Sequence, residues 1–119
     1  MRAVLLISHG SRYQKTVDEI AILSNALKER KAADIVEFAF LELAAPSIPE
    51  GIDICAEKGA TEILILLNFL NAGRHVDVDI PDIIEESQKK HPGVSIRISK
   101  PVGQHDRIVD LFLDIIKSS

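Results

Sequence analysis

The sequence is poor in cysteine and carries no excess of positive charge. Cys55 is the only cysteine among 119 residues, which excludes an internal disulfide and a cysteine-based zinc cluster. The 14 basic residues are outnumbered by 18 acidic ones, for a net charge of −4. A protein that follows nucleic-acid phosphates usually has a basic surface, so we expect no nucleic-acid partner.

Long hydrophobic runs are also missing. No apolar stretch approaches the ~20 residues that a membrane-spanning helix needs. The apolar start of the chain resembles a short signal sequence, but polar residues 8–12 interrupt it too early. We therefore expect no membrane partner and a reducing, cytoplasmic location.

The composition is that of a folded globular protein. Hydrophobic residues make up 46% of the chain and charged residues 27%, unlike the composition of disordered segments. The length suits one hydrophobic core between two layers of helices. We predict a single domain over residues 1–119.

Four short apolar runs alternate with four amphipathic stretches. The runs are residues 3–7, 35–43, 63–67 and 94–98. Val17 to Leu27 show helical spacing, as do the segments that follow Pro46, Ile80 and Ile108. We place Pro46 and Pro49 in the first turn of the second helix. This alternation predicts an α/β fold with an open, four-stranded parallel sheet of order 2-1-3-4 and helices on both faces.

Ligands of such sheets bind beyond the carboxyl ends of the strands, near the point where the strand order reverses. His9 follows the first strand, His75 follows the third, and Glu42 ends the second. We therefore expect both histidines on the same rim, where imidazoles suit a divalent metal or a proton transfer. Plainer alternatives are a helix-capping His9, a solvated His75, and a Glu42 that pairs with Arg12 or Arg74.

Other candidates have mainly structural interpretations. We expect His105 to cap a helix or face solvent, His91 to interact with a helix C-terminus, and Cys55 to lie in the core. Gly10 would permit close approach of the backbone and a substrate, and Ser11 would cap the first helix. The apolar Phe69 and Leu70 in a rim loop suggest a flat hydrophobic ligand or a partner subunit.

Three blocks carry a resemblance to a known family. They are residues 8–12, residues 39–48, and residues 72–76 with 79–81, in this order along the chain. Together they resemble the sirohydrochlorin chelatases, in the short form of the CbiX/SirB group. The resemblance implies ATP-independent insertion of Co²⁺, Ni²⁺ or Fe²⁺ into sirohydrochlorin, with the metal as substrate and no organic cofactor. It implies that His9 and His75 bind the metal and that these histidines and Glu42 are catalytic.

The resemblance also implies how the macrocycle binds. The expected substrate-binding residues are Ser11, Arg12, Phe69, Leu70, Gly73 and Arg74, with Ile48 as a further contact to the macrocycle or a second subunit. The two arginines would meet its carboxylates. Short members form a homodimer whose paired rims enclose the tetrapyrrole. Asn68 and Asn71 depart from the family pattern in the loop that carries His75.

Two other functions fit the same residues. One is a module that carries a metal or a tetrapyrrole without catalysis. The other is a histidine-dependent phosphatase or mutase, although Ser8 stands here where those sequences have an arginine before His-Gly. The sequence does not name the physiological metal, because imidazole sites follow the Irving–Williams order whatever their function.

Overall fold

The structure, a computed structural model, describes residues 1–119 and has one parallel sheet at its centre. The strands are β1 (Arg2–Ser8), β2 (Ile35–Phe40), β3 (Glu62–Leu67) and β4 (Ser95–Ile98). Their order is β2-β1-β3-β4, as the sequence predicts. Because β1 has a parallel neighbour on each side, its carboxyl end lies where the strand order reverses.

Four α-helices connect and follow the strands. They are α1 (Gln14–Glu29), α2 (Ile48–Glu57), α3 (Ile80–Lys90) and α4 (Ile108–Lys117). A π-helical turn (His75–Asp79) runs directly into α3, and a 3-10 turn (Val102–Gln104) precedes α4. None of the helices combines the length and the apolar character that crossing a membrane requires.

The core has two parts, one on each face of the sheet. The larger part packs α2 and α3 against side chains such as Leu5, Ile7 and Ile65, which are fully buried. The smaller part packs Ile20 of α1 against Leu6 and Phe40 on the opposite face. Helices therefore cover both faces of the sheet, as predicted. Burial of these apolar surfaces is the main contribution to the stability of the fold.

The second helix begins at least two residues later than the proline pattern suggests. Ser47 is its N-cap: the hydroxyl accepts from Glu50 N–H, and the Glu50 carboxylate accepts from Ser47 N–H. This backbone hydrogen bond lowers the pKa of Glu50. Pro49 lies in the first turn, but Pro46 precedes the cap, so its predicted place in the helix is wrong. The capping box gives hydrogen-bond partners to the backbone N–H groups of Ser47 and Glu50, which have no partner within the helix.

The second strand is shorter than its apolar run. The predicted run reaches Leu43, but β2 ends at Phe40. Leu43 has a φ of +66°, in the left-handed region, so the chain turns there instead of continuing as a strand. Glu42 therefore lies in the loop after β2 and does not end the strand, which corrects the prediction.

The fourth helix lies outside the two helical layers. Its pattern is strongly apolar, yet none of its residues is buried. The edge strand β4 is also largely exposed, with only Ile96 partly buried. The molecule is consequently long, with extents of 48 × 32 × 29 Å.

An ionic cluster joins α2 to α3 at the end of the molecule opposite the rim. Asp53 Oδ1 lies 2.7 Å from His91 Nε2, and Asp53 Oδ2 lies 3.1 Å from Lys90 Nζ. His91 also ends α3, where its N–H reaches Ser87 O and Gln88 O, in line with its predicted position at a helix C-terminus. Hydrogen bonds from His91, and then from Lys90, lower the pKa of Asp53.

We expect Asp53→Asn to destabilise the protein by about 1 kcal/mol at neutral pH, because it removes a charge-assisted link. A carboxyl pKa that folding lowers stabilises the protein above its unfolded value of 3.8. That contribution disappears as the pH falls through the folded pKa. Urea unfolding from pH 7 to pH 3 measures it, with the exposed Glu57→Gln as control. An equal loss of stability in both variants at pH 7 would contradict the link.

Candidate metal centre

Three side chains meet at the carboxyl edge of the sheet. His9 follows β1, Glu42 lies two residues beyond β2, and His75 opens the π-helical turn after the β3 loop. One ligand atom of each lies within 4.8 Å of the others. The prediction that His9 and His75 share a rim is confirmed, and Glu42 joins them. Two imidazoles and one carboxylate at this spacing can hold a first-row divalent metal.

His9 and Glu42 form a pair. His9 Nε2 lies 2.9 Å from Glu42 Oε1, and His9 Nδ1 lies 3.2 Å from the carbonyl oxygen of Gly10. The predicted alternative, an ion pair of Glu42 with Arg12 or Arg74, is wrong, because Glu42 pairs with His9 instead. Nε2 and the carboxylate oxygen lie within hydrogen-bond distance of each other. A metal ion bound by both atoms would take the place of this contact.

His75 forms a second histidine–carboxylate pair. Its Nδ1 lies 2.8 Å from Asp79 Oδ2, and its ring centroid lies 5.3 Å from that of His9, with the planes tilted by 58°. When Nδ1–H donates to Asp79, the lone pair of Nε2 is free for a metal.

Asp79 is the site residue that residue-level reasoning missed. It belongs to a block that carries the family resemblance, but no role follows from that position. The sequence feature that identifies Asp79 is its position four residues after His75, which places both residues on one side of a helical turn.

The backbone brings the first two loops into direct contact. Glu42 N–H donates to His9 O at 3.0 Å, and Leu41 N–H donates to Ser8 O at 2.9 Å. Gly10 has a φ of +104°, and a Cβ there would lie 1.7 Å from Glu42 O. Gly10 therefore permits the close approach of the Glu42 backbone, which any side chain would block.

A side-chain hydrogen bond links the third loop to the first. Asn68 Nδ2 donates to the buried Ser8 Oγ at 3.0 Å, and Asn68 N–H donates to Ile7 O at 2.9 Å. Asn68 thus fixes the start of the loop that leads to His75. The departure from the family pattern at this position has a structural role, whereas Asn71 is exposed and forms no hydrogen bond.

The centre is an open rim. The side chains of His9, Glu42 and His75 are 44%, 51% and 49% exposed, and they line none of the cavities of the molecule. A metal ion can reach them directly from solvent. A single chain offers a large ligand only one wall at this edge.

The other predicted binding residues divide into two groups. Arg12, Leu70 and Arg74 are exposed, and Gly73 lies in the exposed loop before His75. Phe69 packs against the main core, and Ile48 is fully buried, so the predicted contact of Ile48 with a macrocycle or a partner is wrong. Ile48 opens α2, which turns its side chain towards the sheet.

Ser11 has a different local role from the predicted one. Its Oγ accepts from Tyr13 N–H at 3.0 Å, while Tyr13 is the N-cap of α1 and forms no side-chain cap bond. Ser11 therefore shapes the turn before the helix and does not cap it. Ser11 directly precedes Arg12 and lies two residues after His9 in the chain.

The remaining candidates are structural. His105 is exposed, as one of its two predicted interpretations has it. Its Nδ1 accepts from the N–H of Arg107, the N-cap of α4, so His105 shapes the turn before the helix and does not cap it. Cys55 is fully buried in the core, also as predicted, and burial raises the pKa of its thiol to about 11. The buried thiol is therefore a packing residue.

The CbiX family model matches residues 3–119. The chain belongs to the CbiX family. This CbiX chain is 35% identical to a sirohydrochlorin ferrochelatase of Priestia megaterium, over 100% of the chain and 45% of that protein. It is 31% identical to a sirohydrochlorin cobaltochelatase of Methanococcus aeolicus, with 100% of both proteins covered.

A solved structure shares the fold. The sirohydrochlorin chelatase SirB of Bacillus subtilis subspecies spizizenii, in complex with cobalt, matches with a TM-score of 0.90 and 32% identity. The match covers 98% of this CbiX chain and 50% of SirB. The chain thus spans about half the length of SirB and of the Priestia ferrochelatase, but the full length of the Methanococcus protein.

We expect Gly10→Ala to lower the free energy of unfolding by at least about 2 kcal/mol and to weaken Co²⁺ binding. The new Cβ conflicts with Glu42 O, and the positive φ strains alanine. Gly93→Ala is the control, because a Cβ there meets nothing within 4 Å. Thermal unfolding and calorimetric Co²⁺ titration provide the measurements. Equal stability of the two variants would rule out the close approach.

Asp79→Asn should weaken Co²⁺ binding by about 10–100-fold, the usual effect of removing a carboxylate that orients a metal-binding histidine. Asp77→Asn, on the same turn but exposed, should bind Co²⁺ as the unaltered chain does. Calorimetric titration gives both affinities. If the two variants bind alike, Asp79 does not orient His75.

Proposed function

We propose that this protein inserts a divalent metal into sirohydrochlorin without ATP or an organic cofactor. The observation that carries the proposal is the cluster of His9, Glu42 and His75, whose ligand atoms lie within 4.8 Å of one another on an open rim. Membership of the CbiX family supports it, as do relatives named sirohydrochlorin ferrochelatase and cobaltochelatase.

The first step is binding of M²⁺ by Nε2 of His9, Nε2 of His75 and a carboxylate oxygen of Glu42. Three protein ligands leave other coordination positions open for water and for the incoming macrocycle. The half-exposed side chains hold the ion without enclosing it. Such a site can both bind the metal and release it to a stronger ligand.

Insertion exchanges two protons for one metal ion. As M²⁺ forms bonds to the four pyrrole nitrogens, two N–H groups of sirohydrochlorin lose their protons. The site contains two histidine–carboxylate pairs, His9 with Glu42 and His75 with Asp79. We assign one proton to each pair, because an imidazole that has released the metal can be protonated beside a carboxylate. General-base assistance of this kind is typically worth ~10²–10⁴ in rate.

Substrate recognition uses the same rim. Arg12 and Arg74 are exposed and have no carboxylate partner within the chain, so they are free to bind carboxylates of sirohydrochlorin. Leu70, 63% exposed, offers an apolar contact to the flat macrocycle. A second copy of the chain would supply the opposite wall, in a homodimer with the tetrapyrrole between the two rims.

The metal is Co²⁺, Ni²⁺ or Fe²⁺ on this proposal. Imidazole and carboxylate ligands accept all three, and affinity alone follows the Irving–Williams order. Insertion rates measured side by side with the three ions, under anaerobic conditions for Fe²⁺, identify the preferred substrate.

A catalytic role predicts that His9→Ala and His75→Ala fold normally but insert metal at least about 100-fold more slowly. Glu42→Gln, which keeps the shape but loses the charge, should also slow insertion. The absorbance change of sirohydrochlorin on metal insertion is the measurement, and His105→Ala is the control, since its exposed ring lies outside the cluster. Full activity in both histidine variants would refute the assignment.

The same assay separates an enzyme from a carrier. A module that only carries the metal or the macrocycle would insert no faster than the two react in free solution. Ser8 argues against the phosphatase interpretation. Its side chain is buried and hydrogen-bonded to Asn68, whereas that reaction needs an exposed cation at this position.

A further inference from the structure

Leu43 combines two unfavourable features in the loop after β2. Its φ of +66° lies in the left-handed region, which glycine and asparagine adopt readily but leucine rarely does. Its side chain is apolar and yet 49% exposed. The other residue with a side chain in this region, Lys31, follows the end of α1, where a left-handed residue is usual. Leu43 is not at a helix end, so its conformation needs a different explanation.

The loop that contains Leu43 is held in place on both sides of it. Leu41 packs against the larger part of the core and Ala44 against the smaller part. Phe40 N–H donates to Pro46 O at 2.8 Å and closes the loop at its base. Leu43 itself packs against neither part of the core. The fold therefore fixes the backbone of Leu43, while its side chain adds no packing to the core.

Leu43 lies beside the metal centre. It directly follows Glu42, so the Cα atoms of the two residues are about 3.8 Å apart. The Glu42 carboxylate lies 2.9 Å from His9 Nε2 and is half-exposed. A wide, flat ligand that covers Glu42 therefore covers Leu43 as well. Backbone strain in folded proteins is concentrated at sites of binding and catalysis, where the site requires it.

Leu70 is a second exposed apolar residue, in the loop after β3. Its side chain is 63% exposed. The turn before α4 supports its backbone, because Gly103 N–H donates to Phe69 O at 3.0 Å and a Cβ at Gly103 would lie 1.9 Å from Leu70 O. A glycine of a neighbouring loop thus holds the backbone at Leu70, as Gly10 does next to Leu43.

We propose that Leu43 is a substrate-binding residue that packs, together with Leu70, on the flat apolar face of the tetrapyrrole. This inference rests on the proposed function, because it names a further contact to the same substrate. The contact would bury the apolar side chain of Leu43, and its contribution to binding would offset the strain of the backbone. It involves the ring and not the metal. Leu43 therefore contributes to the affinity for the macrocycle and not to the affinity for M²⁺.

Binding of metal-free sirohydrochlorin, followed by its fluorescence, tests this contact. Leu43→Asn should raise the dissociation constant about tenfold, because a polar amide replaces the buried apolar side chain. Asparagine adopts a positive φ more readily than leucine, so this variant should melt at or above the temperature of the unaltered protein. Leu43→Met, which keeps an apolar side chain of similar volume, should bind within about twofold of the unaltered protein.

Two controls separate the contact from other effects. Leu23→Asn replaces a leucine of similar exposure, 42%, on α1, and should leave the dissociation constant for sirohydrochlorin unchanged. Calorimetric titration with Co²⁺ should give the same affinity for Leu43→Asn and for the unaltered protein. If Leu43→Asn does not fold, Leu43→Gly takes its place in every comparison, because glycine also accepts the positive φ.

Two results would overturn the contact alone. One is a folded Leu43→Asn variant that binds sirohydrochlorin as tightly as the unaltered protein, and the other is an equal loss of affinity in Leu43→Asn and Leu43→Met. Insertion rates test the proposed function separately. If the unaltered protein binds sirohydrochlorin but inserts metal no faster than free solution, the proposed function fails, while tenfold weaker binding by Leu43→Asn still supports the contact. An unaltered protein that does not bind sirohydrochlorin overturns both.

Discussion

The metal centre depends on the contact between the backbones of Gly10 and Glu42. Only a residue without a side chain allows the loop after β2 to pass so close to the loop after β1. The hydrogen bond from Glu42 N–H to His9 O then fixes the two loops together. Because the two backbones are hydrogen-bonded, the His9 imidazole and the Glu42 carboxylate lie side by side. The absence of a side chain at position 10 thus determines which carboxylate lies beside the His9 imidazole.

The surrounding structure fixes the orientation of the second imidazole by another means. His75 lies on a helical turn that continues into α3, and α3 is anchored in the core by Ile80 and Ile84. The rigid helix positions the ring, and Asp79 selects its tautomer. Asn68, bonded to Ser8, fixes the other end of the loop. The two histidines are therefore held by segments that are supported independently of each other.

The sheet and the shared rim could be predicted because they follow from short-range patterns. Uniform apolar runs identify buried parallel strands, and the strand order places His9 and His75 at one edge. The end of β2 and the true partner of Glu42 could not be predicted, because they depend on the backbone angle of Leu43 and on the approach of Gly10. The burial of Ile48 is also a tertiary property, since the sequence does not say which way the first residue of a helix faces. The exposed position of α4 could not be predicted either, because its apolar pattern is also that of a helix packed on the sheet of its own chain.

Because of the π-helical turn, the metal centre can change without a change in the packing of the core. Its bond from Ile80 N–H to His75 O spans five residues, so the turn holds one residue more than an α-helical turn would. Loss of that residue would rotate the chain before it by about 100° relative to α3. The buried side of α3 would keep its packing, while the imidazole would swing away from Glu42. A single-residue deletion could therefore abolish metal binding in a protein that remains folded, and a single insertion could create such a site on an existing helix.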